Sequence, residues 1–231
     1  LYKNYFDYFG LAIGWNGELN DSYGMEGISH QANCITMGNE LKPDFLFNWR
    51  KFNQTQDFVA EDGKTYQVPV GLPDFGTLNL ILSVAKDCGL QIRGHVLVWH
   101  SQTPSWFFAQ DYSTDDKAPL ADKATMTARQ EWYIKTVLEY VQNWEQKKNG
   151  GKRIITTWDV VNEAASDNAS DARYLREDSK WFKIYKDDTF IVNAFRYANK
   201  YALKDVLLCY NDYNCYSPNK TKAICKIVDS I

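Results

Sequence analysis

Five short stretches of this chain, 8–14, 34–37, 91–98, 154–161 and 206–210, are almost continuously apolar. Runs of that length bounded by polar residues predict strands covered on both faces, as parallel strands are. Between them the apolar period changes to that of a helix. Leu78, Ile81, Leu82 and Ala85 form one stripe that Gly89 would stop, and Met126, Tyr133, Val137, Tyr140, Val141 and Trp144 form a second. Ile191, Ala194, Phe195, Ala198 and Tyr201 form a third behind Asp188 as cap, and Ile224, Ile227, Val228 and Ile231 a fourth opened by Ser217 and Pro218. Strand and helix in alternation predict an α/β fold, a parallel sheet with helices outside it.

Two architectures share that pattern, an open doubly wound sheet and a (β/α)8 TIM barrel of which the chain carries about the first five βα units. The polar positions separate them. Asn39 and Lys42 follow the second strand, His95, Trp99 and His100 end the third, Asn162 and Glu163 end the fourth, and Asn211 and Tyr213 end the fifth. A barrel gathers its site from the C-terminal ends of successive strands, whereas an open sheet concentrates it at one switch point. No Gly-rich phosphate loop follows any of the strands. The reading is therefore the barrel, with residues 1–231 as the N-terminal portion of one catalytic domain.

Composition narrows the partners. With 231 residues, 45% apolar, 24% charged and a net charge of −3, the chain fits one globular domain and offers no basic stripe for nucleic acid. Its apolar runs are too short to cross a membrane. Histidines His30, His95 and His100 form no metal-ligand spacing, and no cofactor or metal is expected. Cys34, Cys88, Cys209, Cys215 and Cys225 show no CxxC pattern and read as buried free thiols. Eight Trp and 15% aromatic residues raise the possibility of stacking on sugar rings, although core packing accounts for such rings equally well.

The stretch from Trp158 to Ala164 holds the strongest chemical signal, because a buried strand has no cheap use for a carboxylate at its tip. Glu163 is the first candidate for catalysis. The stretches Gly94 to Trp106 (GHVLVWHSQTPSW), Trp158 to Ala164 (WDVVNEA), Tyr210 to Asn214 (YNDYN) and Gly38 to Pro43 (GNELKP) resemble glycoside hydrolase family 10. The four blocks stand in the family's order with matching helices between, over essentially the whole chain. The resemblance implies a secreted, retaining endo-1,4-β-xylanase acting on internal bonds of xylan and xylo-oligosaccharides. It implies Glu163 as general acid/base, a role that requires a raised carboxyl pKa. It implies Asn162 as the hydrogen-bond partner of the sugar 2-hydroxyl, Asn39, Lys42, His95, Trp99 and Gln102 as lining of the glycone subsites, and Tyr213 as a stacking surface for the aglycone sugar.

Asn211 is expected to support these residues, Asp159 to sit in an interior polar network, and Trp106 and Trp158 to pack in the barrel wall. His100 is as readily structural as functional. The family pattern commonly has Glu where this chain has Gly38, which weakens the outer glycone subsite. A retaining mechanism needs a second carboxylate about 5–5.5 Å from the first, and in the family it lies on the seventh strand. Residues 1–231 are expected to hold five strands, so the nucleophilic Glu and the last three βα units are expected from another polypeptide of a nicked, split or swapped assembly. Other retaining β-glycosidases share the Asn–Glu pair, and a xylan-binding fragment without turnover would keep the same sugar-binding set. The opening without Met reads as a trimmed start, and Asn20, Asn53, Asn168 and Asn219 head glycosylation tripeptides. Segment 48–69, with Glu61, Asp62, Gly63 and Lys64 at a turn, predicts a small β-ribbon at the glycone rim, and 166–180 a long loop on the aglycone side.

Overall fold

All five apolar runs become strands of one sheet in the computed structural model, which describes residues 1–48, 52, 54–170 and 173–231. The strands are β1 (Gly10–Ile13), β2 (Cys34–Met37), β5 (Gln91–Trp99), β6 (Ile155–Asn162) and β7 (Leu207–Asn211), and β3 (Thr55–Val59) and β4 (Thr65–Pro69) form a separate antiparallel ribbon. The helices are α1 (Ser22–Gln31), α2 (Pro43–Leu46), α3 (Gly76–Asp87), α4 (Ser105–Phe108), α5 (Lys123–Lys148), α6 (Lys180–Tyr185), α7 (Thr189–Tyr201) and α8 (Pro218–Val228). Sheet order is β1-β2-β5-β6-β7 and every pairing in it is parallel. Strands adjacent in space follow one another through crossover helices, which is the winding of a (β/α)8 barrel. The sheet is the N-terminal part of such a barrel, with β1 and β7 at its edges.

Successive side chains point to opposite faces of a strand. On the helix side, Ile92, Trp158 and Val160 enter the core with Leu78, Ile81, Leu82, Ala85, Ile134, Val137, Ile191 and Ala194. Gly94 lies opposite Trp158, and a Cβ there would sit 2.4 Å from the indole ring. The indole thus takes the volume that a side chain at 94 would need. On the other face stand Arg93, His95, Asp159 and Asn211, a polar lining where a barrel's interior would be. Trp106 is buried with Phe107 and Phe108 on α4, packing edge-on to Phe47 and Phe52. Both Trp106 and Trp158 are wall residues.

Several local expectations change. Asp188 stands at the α7 N-cap without using its carboxylate there; the Tyr174 hydroxyl donates to it instead. Helix α8 ends at Val228, so Ile231 lies outside it, and Val228 and Ile231 are exposed while Ala223 and Ile227 carry the packing. Helix α1, capped by the Asp21 side chain at the Tyr23 N–H, has too weak an apolar stripe to be read from spacing. Helix α6, capped by Ser179 at Phe182, begins at Lys180 where the long loop was expected to end. Of the five cysteines expected to be buried only Cys34 is; Cys88 and Cys209 are half-buried, and Cys215 and Cys225 are exposed, on a turn and on the open side of α8. The ribbon forms as expected, but its tip docks on helices: the Glu61 N–H donates to Glu131 on α5 at 2.7 Å, and Arg196 and Lys200 of α7 pair with the Glu61 carboxylate. Asn53, one of the tripeptide heads, lies outside the described residues.

Candidate active site

The polar strand ends converge in one place. Lys42 follows β2 at the start of the short helix α2, where Pro43 sets the first helical residue. Its ammonium donates to Asn39 Oδ1 at 3.0 Å and Gln102 Oε1 at 2.8 Å, and lies 4.7 Å from the centre of the Trp99 ring. Gln102 Nε2 donates to Asn39 Oδ1 at 3.2 Å, closing a triangle of three expected sugar-binding residues. Burial pulls the Lys42 pKa below the usual lysine range, against the opposing pull of the Glu163 and Glu40 charges.

Trp99 links that triangle to the acid/base candidate. Its indole N–H donates to Glu163 Oε2 at 3.0 Å, while its carbonyl accepts from the Trp181 indole at 3.1 Å and from Thr103 at 2.9 Å. Glu163 has φ +53°, a left-handed conformation that non-glycine residues seldom adopt. The turn swings its carboxyl out of the line of β6, whereas Asn162 before it remains buried with Oδ1 accepting from Asn211 Nδ2 at 2.8 Å. Asn211 therefore supports Asn162, as expected. His95 lies one strand away and places Nδ1 2.9 Å from Asp159, whose carboxylate is also gripped by Arg93 through Nε at 3.1 Å and NH2 at 2.6 Å. Asp159 is thus fully engaged in the network inferred for it.

On the far side of Glu163, Tyr213 is 40% exposed and so open to stacking. Its hydroxyl donates to Asp167 and accepts from Arg176, and the Lys220 ammonium lies 4.7 Å from its ring centre. Burial alone would raise the Asp167 pKa, but hydrogen bonds from Tyr213, Lys220 and Arg176 overcome it and hold the carboxyl far below the ordinary range. His100 is half-buried behind Trp99, and burial together with Arg176 lowers its pKa, so a neutral ring is favoured there.

All eight residues expected from sequence occupy one face, with Asn39, Lys42, His95, Trp99 and Gln102 on one side of Glu163 and Tyr213 on the other. Sequence reading missed Arg93, Glu40, Asp167, Arg176 and Lys220. Glu40 accepts the backbone N–H groups of Trp15 and Asn39 at 2.8 and 3.1 Å, tying the end of β1 to the end of β2. Position 38 presents space rather than a clash: a Cβ there would touch only the Ile13 carbonyl, at 3.4 Å. Among the described residues no group of three or more His, Cys, Asp or Glu is placed to hold a metal.

A family model described as glycosyl hydrolase family 10 matches residues 1–231. The chain is 45% identical over 178 residues to a putative endo-1,4-beta-xylanase of Caldicellulosiruptor saccharolyticus, covering 76% of this chain and 53% of that protein. It is 35% identical over 239 residues to endo-1,4-beta-xylanase Y of Acetivibrio thermocellus, covering 98% of this chain and 20% of that one. Among solved structures, an intracellular xylanase of Thermoanaerobacterium saccharolyticum superposes with a TM-score of 0.74 at 31% identity, over 99% of this chain and 61% of the other. The chain therefore spans about half the length of the first of these relatives and a fifth of the second.

Proposed function

The chain belongs to glycosyl hydrolase family 10, and on that premise we propose that it carries the acid/base half of a retaining endo-1,4-β-xylanase site. One observation supports this most: the Glu163 carboxyl, held among the described residues by the Trp99 indole alone, stands between a glycone-side polar cluster and an aglycone-side tyrosine at the ends of consecutive parallel strands. In the first step Glu163 gives its proton to the glycosidic oxygen as the C1–O bond breaks, and a second carboxylate forms its own bond to C1. In the second step water replaces that carboxylate at C1 and returns a proton to Glu163.

The second carboxylate is proposed to come from protein outside residues 1–231, continuous with this chain or separate from it. Asp159 is excluded by its Arg93 and His95 contacts, Glu40 by its two backbone donors, and Asp167 by its partners. Asn162 is assigned to the sugar 2-hydroxyl, Lys42, Asn39, Gln102, His95 and Trp99 to the glycone sugars, and Tyr213 to the aglycone sugar. Because polymeric xylan cannot cross a membrane, action outside the cell is proposed, checked by comparing activity in culture fluid with that in cells.

The test is release of reducing sugar from xylan by the full-length enzyme beside its Glu163→Gln variant. The variant is expected to lose about 10²–10⁴-fold in rate, the range of general acid–base catalysis. Preferential cleavage of cellulose or mannan would overturn the substrate assignment, and xylohexaose binding without product from the unaltered enzyme would establish a binding module instead.

A further inference from the structure

The left-handed turn at Glu163 is held from all sides. Each of the six backbone polar groups from Glu163 to Ala165 has a partner. Glu163 N–H donates to the Asn211 carbonyl at 2.9 Å and its carbonyl accepts from Arg176 Nε at 3.1 Å. The Ala164 carbonyl accepts from the Arg176 N–H at 2.8 Å, and the Ala165 carbonyl from Lys220 Nζ at 2.7 Å. The remaining two N–H groups, of Ala164 and Ala165, both donate to the hydroxyl oxygen of Tyr210 at 3.0 Å each, and the Ala165 N–H also reaches Asp212 Oδ2 at 3.3 Å. That hydroxyl spends its own proton on Asp212 Oδ2 at 2.6 Å, and Asp212 Oδ1 lies 2.9 Å from Lys220 Nζ.

A phenol has one donor and two acceptor sites, and here all three are used. Asp212 and Lys220 expose about 1% of their side chains. Lys220 also reaches Asp167, which binds the Tyr213 hydroxyl, so one buried ammonium braces both the acid/base turn and the aglycone surface. A sparsely populated conformation persists only where its surroundings over-determine it, and such strain collects at functional sites. The polar groups of all three side chains are taken up by protein partners.

We propose that Tyr210, with Asp212 and Lys220 behind it, is a positioning residue that aims the Glu163 carboxyl at the glycosidic oxygen. This rests on the assignment of Glu163 as acid/base. A peg that aims an acid matters in proportion to how much the leaving group needs a proton. A sugar leaving group needs one; a dinitrophenolate leaves without it. A merely structural role would depress both reactions alike.

The experiment therefore compares kcat/KM, which reports bond cleavage in the first step, for xylohexaose and for 2,4-dinitrophenyl β-xylobioside in the full-length enzyme and its Tyr210→Phe variant. Expected is a 10- to 100-fold loss on xylohexaose, the scale of a roughly 1 Å misplacement, with the aryl substrate within about 3-fold of the unaltered enzyme. Equal losses on both substrates, or no loss on either, overturn the proposal while leaving the xylanase reading intact, since the unaltered enzyme reports on that reading by itself. Circular dichroism checks the fold of the variant. If Tyr210→Phe does not fold, Asp212→Asn, which keeps the shape behind the peg and removes its charge, is put through the same comparison with the same two outcomes.

Discussion

Lys42 and Asp44 stand two residues apart and are buried to the same degree, yet burial serves one and costs the other. Lys42 has two oxygen partners and an aromatic face, so its charge is compensated and its donors are held where a sugar hydroxyl can meet them. Hydrogen bonds to a charged group contribute about 1.5–3 kcal/mol. Lys42→Met is therefore expected to raise KM for xylo-oligosaccharides about 10-fold or more with the fold retained, as steady-state kinetics and a thermal melt would show. Asp44 is less well served, and burial lifts its pKa to about 6. Between roughly pH 4 and 6 the folded protein keeps a proton that the unfolded chain has released, so stability falls as pH rises through that window and stays lower above it. At about 1.4 kcal/mol per unit, the cost at neutral pH is on the order of 2–3 kcal/mol. Asp44→Asn is expected to raise Tm at pH 7.5 and to leave it unchanged at pH 4; an equal effect at both would refute the assignment. At this scale the sequence displays residues that face the ligand, since Asn39, Lys42, Trp99 and Glu163 sit in runs where a strand should have ended. It hides their supports. Nothing about Lys220 in the first turn of α8, or Arg93 inside an apolar strand, distinguishes them from solvated cations until β7 and β6 bring partners to them.

The five sheet strands were legible to within two residues, and the long helices by their apolar stripes rather than by their ends. Strand β2 coincides with its apolar run, and α5 and α7 contain their whole stripes. Helix α1 escaped because Ser22 to Gln31 buries only Met25 and Ile28, too few to mark a period, and α6 because a Ser cap in a polar loop carries no apolar signature beforehand. Asp188 fails as a cap for a tertiary reason, its carboxylate being taken by Tyr174. Strand β5 fits tightly on β6 at Gly94 and Trp158. With indole ring atoms 2.4 to 2.7 Å from the place an added methyl would occupy, Gly94→Ala must push the ring aside. Overpacking of this kind costs about 1–3 kcal/mol, and denaturant titration should show a lower midpoint with an unchanged slope.

The molecule as a whole is a sheet with β1 and β7 unpaired on their outer sides among the described residues, and with large apolar side chains exposed nearby, including Tyr8, Leu11 and Leu207. Open edges and apolar patches invite pairing. Residues 1–231 expressed alone are expected to elute in size-exclusion chromatography above the 26.7 kDa of one chain and to bind an apolar dye; a well-folded monomer without dye binding would refute this. The barrel winding was legible because strand–helix alternation and polar strand ends together leave few topologies. The docking of the ribbon was not, because nothing in segment 48–69 says which helices will receive it. That docking has a consequence for how the protein meets proteases. Glu61 is held by the exposed cations Arg196 and Lys200, whose attraction salt screens, while its backbone N–H rests on the buried Glu131 carboxylate. Lys64 lies in the same tip, three residues on. Its cleavage by trypsin then serves as a clock for undocking, running faster as ionic strength rises and slower whenever α5 and α7 hold their grip.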